Sequence, residues 1–379
     1  MPKRKADYNT HFRRVNELKT LNKKTFRLLP LTLALLFLAS GCGANSTAES
    51  GADGAAQTGG ATAAAEAKAA GPASSAGTDY PNRPIEYVVP FSAGGGVDLV
   101  ARTVAEGLSK EWGQPIEIVN KPGAGGATGA QYALKQAAND GYTVLADNVA
   151  STTMLQAGSA SAPVLLSDHE FAARVVTDAP VFVVAADAPW KDFREFSEWA
   201  KANPEKLTWT SVGPAGFSTF AVAEWLKAIG ADFSKTRMIA TKGASESLPL
   251  VAGGNAVLAV HTVNETSTLV KAGKLKVLAV LSPERSPYYP DVPTTAEQGV
   301  KDLSVSWWTG MSFPKGTPQE IVKKWADGVA KLAQDPDFVA KLKQLQVDPN
   351  VLTGQEFTDF VNKEAEYYTG LATETGIRK

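Results

Sequence analysis

The stretch "PFSAGGGVDLVAR", Pro90–Arg102, places three consecutive glycines between a strand-like segment and a helix-like one. Residues 85–89 before it are mostly β-branched or aromatic and predict a strand, and residues 97–108 after it repeat apolar side chains with a helical period. Glycine adopts positive φ and lets other groups approach the backbone, so the free N–H groups of such a helix start are suited to an anion. For one loop alone, a tight turn without a ligand is the simpler explanation.

The same arrangement recurs at three further strand-to-helix junctions. They are "NKPGAGGATGA" (120–130), "TSVGPAGFSTFA" (210–221) and "IATKGASESL" (239–248). Strand-like and helical segments alternate along residues 80–379, which favours an α/β fold with mainly parallel sheets. Ligands of such sheets bind at the carboxyl ends of the strands, so the four loops predict a polar, uncharged cleft.

The loop "GAGGATG" (123–129) partly resembles the dinucleotide-binding pattern G-x-G-x-x-G, with Asp147 about 20 residues further on. Position 128 is Thr, however, and two residues separate the preceding strand from the first glycine. A nucleotide-dependent enzyme therefore stays an alternative.

His169 and His261 lack metal-ligand spacing, and His261 is interpreted as a strand-end histidine. The sequence predicts no metal site, no cofactor and no catalytic residues.

The N-terminus is typical of an exported lipoprotein. Residues 1–27 hold nine Lys or Arg, and an apolar run at residues 28–39 follows, too short for a membrane span of about 20 residues. The run ends in "LASGC", which resembles a bacterial lipobox with Ala39 where the pattern usually has Leu. We expect residues 1–41 to be a signal peptide and Cys42 to be lipidated; an ordinary secretory signal with an incidental cysteine is the alternative.

The composition changes after Cys42. Residues 43–79 are almost entirely Ala, Gly, Ser and Thr, so residues 42–79 are predicted to be a disordered tether. The chain has 38 Lys and Arg against 39 Asp and Glu, and without residues 1–41 the counts are 29 and 37, a net charge of −8. This charge argues against nucleic acid or an anionic membrane surface as a partner. Any affinity for an anion must be local.

Five segments follow one another through the rest of the chain: "YPNRPIEYVVPFSAGGGVDLVAR", "GQPIEIVNKPGAGGATGA", "NDGYTVL", "AGKLKVLAVLSPERSPYYPDVPTTAEQG" and "SWWTGMSFPKGTP". As an ordered set they resemble the extracytoplasmic receptors of tripartite tricarboxylate transporters, the Bug or TctC-like proteins. The resemblance implies a two-lobed periplasmic-binding fold of type II (Venus flytrap) with two mixed or mainly parallel sheets. Lobe 1 is expected at residues 80–181 and 284–379, and lobe 2 at 182–283.

The resemblance also implies that a small carboxylate is held at the lobe interface, mostly by backbone N–H groups and hydroxyls. The implied ligand-binding residues are Ser92, Ala93, Gly94, Gly95, Gly96 and Asp98 in the first loop, Gly213, Ala215, Gly216, Ser218 and Thr219 in the second, and Asn148, Ser151 and Asn264 elsewhere. Asp98 is expected either to cap the helix or to meet an amino group or bound water of the ligand.

Aromatic residues depart from the family pattern. Members often read Gly-Ser-Ser-Gly-His in the second loop, whereas this chain has Phe217 and Phe220, which predicts a less polar or differently shaped pocket. Trp307 and Trp308 are candidates for the cleft wall, with at least one of them expected in the core.

The function implied is that of a monomeric, non-catalytic receptor, anchored by lipid on the outer side of the cell membrane. It is expected to deliver a carboxylate to two integral membrane subunits, one large and one small. Two alternatives stay open at this point: a lipid-anchored nucleotide-dependent enzyme and a receptor-like lipoprotein that serves as a sensor or scaffold.

Overall fold

The computed structural model describes residues 79–378, so the signal, Cys42 and nearly all of the predicted tether lie outside the described residues. The strands are β1 (Ile85–Val89), β2 (Ile116–Asn120), β3 (Thr143–Leu145), β4 (His169–Asp178), β5 (Pro180–Ala185), β6 (Thr208–Ser211), β7 (Arg237–Ala240), β8 (Ala259–Thr262), β9 (Leu275–Val280), β10 (Trp307–Pro314) and β11 (Asp348–Thr353). The α-helices are α1 (Gly96–Trp112), α2 (Ala127–Gln131), α3 (Leu155–Gly158), α4 (Phe193–Ala202), α5 (Phe217–Ile229), α6 (Ala244–Ala252), α7 (Val263–Lys271), α8 (Gln319–Leu332), α9 (Pro336–Gln344) and α10 (Gly354–Thr375). Within residues 79–378, none of the helices combines the length and the apolar character of a membrane span.

Six strands form one sheet in the order β11–β4–β10–β3–β1–β2. β1 pairs in parallel with β2 and β3, whereas β10 runs antiparallel to β3 and β4, and β11 antiparallel to β4. Every residue of β10 is buried, as expected for an inner strand that is covered on both faces. Because β1 pairs in parallel with both β2 and β3, the carboxyl ends of these three strands lie along one edge of the sheet.

A second group of strands lies between residues 180 and 280. β5 runs antiparallel to both β8 and β9, and β6 pairs in parallel with β7. A bridge between Trp209 and Leu258 links β6 to the segment that enters β8. The predicted α/β fold with mixed sheets is confirmed. Antiparallel pairs nevertheless outnumber parallel ones in the described part of the chain, five to three.

The chain passes between the two groups of strands twice. Ala179 alone separates β4 from β5, and a long loop leads from β9 back to β10. The two passages are adjacent, because the N–H of Leu281 donates to the carbonyl of Pro180 at 2.7 Å. The predicted lobe boundary at 182 falls inside β5, and the division at 182 and 283 stays a prediction.

Large aromatic side chains fill the core where α10 meets α5 and β10. Phe220 is fully buried, with its ring centroid 5.3 Å from that of Tyr368. Trp308 is also fully buried, and its Nε1 donates to Glu364 Oε2 at 2.8 Å. Of the aromatic residues considered for the cleft, Phe220 and Trp308 are therefore core residues.

Candidate functional site

A cavity lies where the loops after β1, β3, β6 and β7 meet the start of α7. It has a volume of about 40 Å³, which is room for about three water molecules. The predicted site residues that line it are Ser92, Gly95, Gly96, Asn148 and Ser218. The other predicted residues do not line it: Ala93, Gly94, Asp98, Ser151, Gly213, Ala215, Gly216, Thr219 and Asn264.

Three helices, α1, α5 and α6, begin in the lining of this cavity. Their N-cap residues are Gly95, Gly216 and Gly243, and none of the three receives a hydrogen bond from an N-cap side chain. The first turn of a helix has N–H groups without intrahelical partners and carries the positive end of the helix dipole. Three of the four glycine-rich loops thus converge on one cavity, and none of the lining residues within 79–378 is Lys or Arg.

The fourth glycine loop, at residues 120–130, does not line the cavity. Gly126 has φ +99°, and a Cβ at this position would lie 2.7 Å from the Cβ of Ser151, so packing accounts for the glycine. Asp147, the acid considered for a nucleotide ribose, is fully buried and accepts a hydrogen bond from Thr152 Oγ1 at 2.9 Å. These contacts give the nucleotide alternative no support.

Asp98 fixes the first glycine loop from inside α1. Its Oδ2 accepts the N–H of Gly94 at 2.9 Å, and its two oxygens also accept hydrogen bonds from Arg102 and from Asn120 Nδ2. Burial alone would raise the pKa of Asp98, but these donors hold it below its usual value. The N-cap position belongs to Gly95, so Asp98 closes the preceding turn instead of capping the helix there.

The first loop contacts the second group of strands through Ser92. The Ser92 N–H donates to the carbonyl of Lys242 at 3.3 Å, and the Ser92 hydroxyl lies 3.0 Å from that of Ser245. Gly243 has φ +153°, and a Cβ there would lie 2.7 Å from Ser92 Oγ. A glycine at this position therefore permits the close approach of the two loops.

The amide of Gly96 is bound by a carboxylate of the protein itself. The Gly96 N–H donates to Glu265 Oε1 at 3.2 Å, and a Cβ at residue 96 would lie 3.0 Å from Glu265 Cγ. Glu265 Oε2 accepts from the Thr262 N–H at 3.2 Å and lies 2.9 Å from His261 Nδ1. Although burial raises the pKa of Glu265, the nearby His261 and the two N–H groups hold it below its usual value.

His261 and Glu265 line the cavity and were not predicted as site residues. His261 lies near the end of β8 as interpreted, and its Nε2 is 2.9 Å from Ser247 Oγ, which in turn donates to Thr210. Glu265 follows Thr262 with the spacing of a helix capping box, which is the local signal that the sequence offers for it. In residues 79–378, no cluster of three or more His, Cys, Asp or Glu residues is arranged to hold a metal ion.

Hydroxyl groups at the second loop are bonded to backbone carbonyls of the protein, one in β8 and one in the loop itself. Ser218 Oγ donates to the carbonyl of Val260 at 2.7 Å, and Thr219 Oγ1 donates to that of Gly213 at 2.7 Å. Gly213 has φ +141°, a conformation that glycine adopts readily. Phe217 lines the cavity, so the aromatic character predicted for this side of the pocket is present at that one position.

The two predicted asparagines also bind the protein's own backbone. Asn148 Nδ2 donates to the carbonyl of Trp308 at 2.7 Å, and its Oδ1 accepts from the Ala150 N–H at 3.0 Å. Asn264 Nδ2 donates to the carbonyl of Leu345 at 2.6 Å. Asn148 therefore borders the cavity with its amide already bonded, and Asn264 connects α7 to the segment after α9.

Comparison with known proteins gives consistent matches. The chain matches the family described as "Tripartite tricarboxylate transporter family receptor" over residues 100–377. A UPF0065 protein of Cupriavidus necator, from the gbd 5′ region, is 32% identical over 311 residues, which are 82% of this chain and 93% of that protein.

Solved structures match the same part of the chain. The periplasmic binding protein BugD is 28% identical with a TM-score of 0.74, over 79% of this chain and 100% of BugD. MatC from Rhodopseudomonas palustris, solved with bound malate, is 25% identical with a TM-score of 0.72, over 77% of this chain and 100% of MatC. The fold is that of a periplasmic binding protein, as the sequence resemblance implied.

Proposed function

Because this chain belongs to the tripartite tricarboxylate transporter receptor family, we propose that it captures a small organic carboxylate in the cavity at the starts of α1, α5 and α6 and delivers it to a membrane transporter. The family consists of extracytoplasmic solute receptors and is not an enzyme family, and its members work with membrane transporters. We propose that this protein likewise acts without catalysis.

The observation that carries the proposal is the meeting, in one cavity, of three helix N-termini whose N-cap residue is glycine, with no Lys or Arg among the described residues that line the cavity. Each helix N-terminus stabilises a nearby negative charge by about 0.3–1 kcal/mol. Each charge-assisted hydrogen bond adds about 1.5–3 kcal/mol. A few such contacts reach the approximately −8 kcal/mol that corresponds to micromolar affinity.

The ligand is proposed to be a small di- or tricarboxylate or a related acid. Malate bound to MatC supports this class, because MatC shares the fold over its whole length. The cavity, with room for about three water molecules, must widen to hold such a ligand, so the proposal includes two halves of the protein that move apart to admit it. Ala179, between β4 and β5, and the adjacent passage at Leu281 are the proposed hinge points.

The N-terminal sequence supports a further part of the proposal, which concerns membrane anchoring and partners. Cys42 is proposed to carry the lipid anchor, and residues 42–79 to tether a monomeric receptor to the membrane. One large and one small permease subunit are its proposed partners.

Gly95→Val tests the placement of the site. Gly95 lines the cavity, and a Cβ there meets only Ser92 O, at 3.4 Å, so the added side chain fits the fold and projects where a ligand contacts the loop. Titration calorimetry of the full chain in mild detergent, with malate, succinate and citrate, is expected to give micromolar binding for at least one acid. Gly95→Val is expected to weaken that binding at least tenfold.

Gly370→Val is the matched control, because a Cβ at this position of α10 has no neighbour within 4 Å. It is expected to bind like the unchanged protein. Unchanged affinity in Gly95→Val would place the site elsewhere, and no binding of any carboxylate by the unchanged protein would overturn the proposed function.

A further inference from the structure

We propose that Glu265 is a specificity-determining residue that selects a carboxylate ligand bearing a cationic amine, by accepting the N–H groups of that amine. The inference rests on the proposed function, and it narrows the ligand from any small acid to an amino acid or a similar zwitterion. The carboxylate of such a ligand faces the helix N-termini of the cavity, and its amine faces Glu265.

The carboxylate of Glu265 is a hydrogen-bond acceptor in the lining of the cavity. Its carboxylate is held in place by N–H groups of Gly96 and Thr262 and by His261. A carboxylate has about four lone-pair sites, and these three partners leave Oε1 with capacity for one further N–H. Both nitrogens of His261 are engaged, one by Glu265 and one by Ser247, so His261 presents no free donor to a ligand here.

Charge favours the same ligand. Among the described residues that line the cavity, His261 and Glu265 are the two with ionisable side chains, and the pKa of Glu265 is below its usual value, so its carboxylate is ionised near neutral pH. A ligand ammonium group forms a charge-assisted hydrogen bond with this carboxylate, which an acid without an amine cannot form.

The role that the sequence analysis considered for Asp98, contact with a ligand amino group, is thus transferred to Glu265. Asp98 is engaged by Gly94, Arg102 and Asn120 and does not line the cavity. Glu265 lines it, although it lies 169 residues further along the chain than the Gly96 amide that it binds.

Glu265→Gln separates recognition from structure. Glu265 also forms the capping box of α7 with Thr262, and Gln serves equally at that position of a capping box, so the variant keeps the cap and loses the charge together with one of the two acceptor oxygens. The matched control is Glu195→Gln, which removes the same charge from the first turn of α4, outside the cavity lining.

The experiment is titration calorimetry of the full chain in mild detergent with two series of ligands that differ in one substituent. The first series is succinate, malate and aspartate, and the second is propionate, lactate and alanine. In at least one series, the amine is expected to bind at least tenfold more tightly than both of its analogues. In Glu265→Gln this preference is expected to fall below about threefold, whereas Glu195→Gln keeps it, and the melting temperature of each variant checks that the fold is retained.

Succinate, malate, propionate or lactate binding as tightly as its amine counterpart would overturn the inference and leave the proposed function intact. A preference for the amine that persists in Glu265→Gln would also overturn it, because the amine would then be recognised elsewhere. Absence of binding by all six ligands would overturn the inference, and absence of citrate binding as well would overturn the proposed function with it.

Discussion

The hydroxyl oxygens of Ser92 and Ser245 lie 3.0 Å apart and connect the loop after β1 to the first turn of α6. β1 belongs to the six-stranded sheet, whereas α6 lies in the segment between β5 and β9, so this contact spans the proposed ligand cleft. Ser245 itself does not line the cavity. The contact therefore joins Ser92, which lines the cavity, to a residue of the opposite side that lies outside the lining.

Ser245→Ala is expected to weaken binding of whichever carboxylate is identified by about two- to tenfold, because a neutral hydrogen bond contributes about 0.5–1.5 kcal/mol. Titration calorimetry measures the affinity, and small-angle scattering of the liganded protein measures closure. Ser234→Ala, which removes an exposed hydroxyl that bonds Asp232 locally, is the control and is expected to have no effect. Equal affinities in the two variants would show that the Ser92–Ser245 contact adds nothing to closure.

Asp98→Ala is expected to lower the free energy of unfolding by about 1–3 kcal/mol, because it leaves the Gly94 N–H, Asn120 and Arg102 without their common acceptor. The glycine loop is then no longer fixed, so carboxylate affinity is expected to fall as well. Denaturant unfolding and calorimetry measure the two effects.

The control for that variant is Lys323→Ala, which breaks an exposed pair with Asp327 and is expected to change stability by less than about 0.5 kcal/mol. A stable Asp98→Ala protein with normal ligand affinity would show that the loop keeps its shape without this carboxylate.

Glu364 predicts a pH dependence of stability. Burial raises its pKa to about 7, against the opposing effect of hydrogen bonds from Trp308, Ser306 and Thr153. Because this folded-state pKa lies above the unfolded value, the contribution of Glu364 to stability is complete below about pH 4.5 and is lost as the pH rises through 7. The free energy of unfolding is expected to fall between pH 5 and pH 8, by up to about 3 kcal/mol from this residue.

Glu364→Gln is expected to reduce that slope without removing it, because the pKa values of Asp178 and Glu224 are likewise raised to about 7 by burial. Chemical denaturation at pH 5, 6, 7 and 8 gives the measurement. A stability that rises across this range in the unchanged protein would contradict the assignment of raised pKa values to these buried acids.

Elements with a clear local signal were predicted well from the sequence. The strand predicted at 85–89 is β1 (Ile85–Val89), and the helical period at 97–108 lies within α1 (Gly96–Trp112). Composition identifies the first of these elements, and a regular apolar period identifies the second. The elements that were missed include β4 (His169–Asp178) and α7 (Val263–Lys271). β4 is buried on both faces and so lacks alternation, and α7 is rich in β-branched and polar residues of low helix propensity.

The candidate site likewise has parts that local sequence predicts and parts that it does not. The glycine loops at 90–96, 210–221 and 239–248 were recognised from their spacing, and they meet in one cavity. The occupation of the Gly96 amide by Glu265 was missed, because it is a tertiary contact between residues 169 positions apart. Local sequence shows Glu265 as a helix-capping residue, and only the fold brings it to the cavity.

The hydrogen bond from the Leu281 N–H to the Pro180 carbonyl puts the entry and the exit of the segment 180–281 next to each other. That segment is therefore an insertion whose two connections to the rest of the protein lie side by side. Exchanging it between relatives of this family requires two splice points and no new linker. Recombination of this kind can pair the first glycine loop of one receptor with the second of another, and so create new ligand preferences in one step.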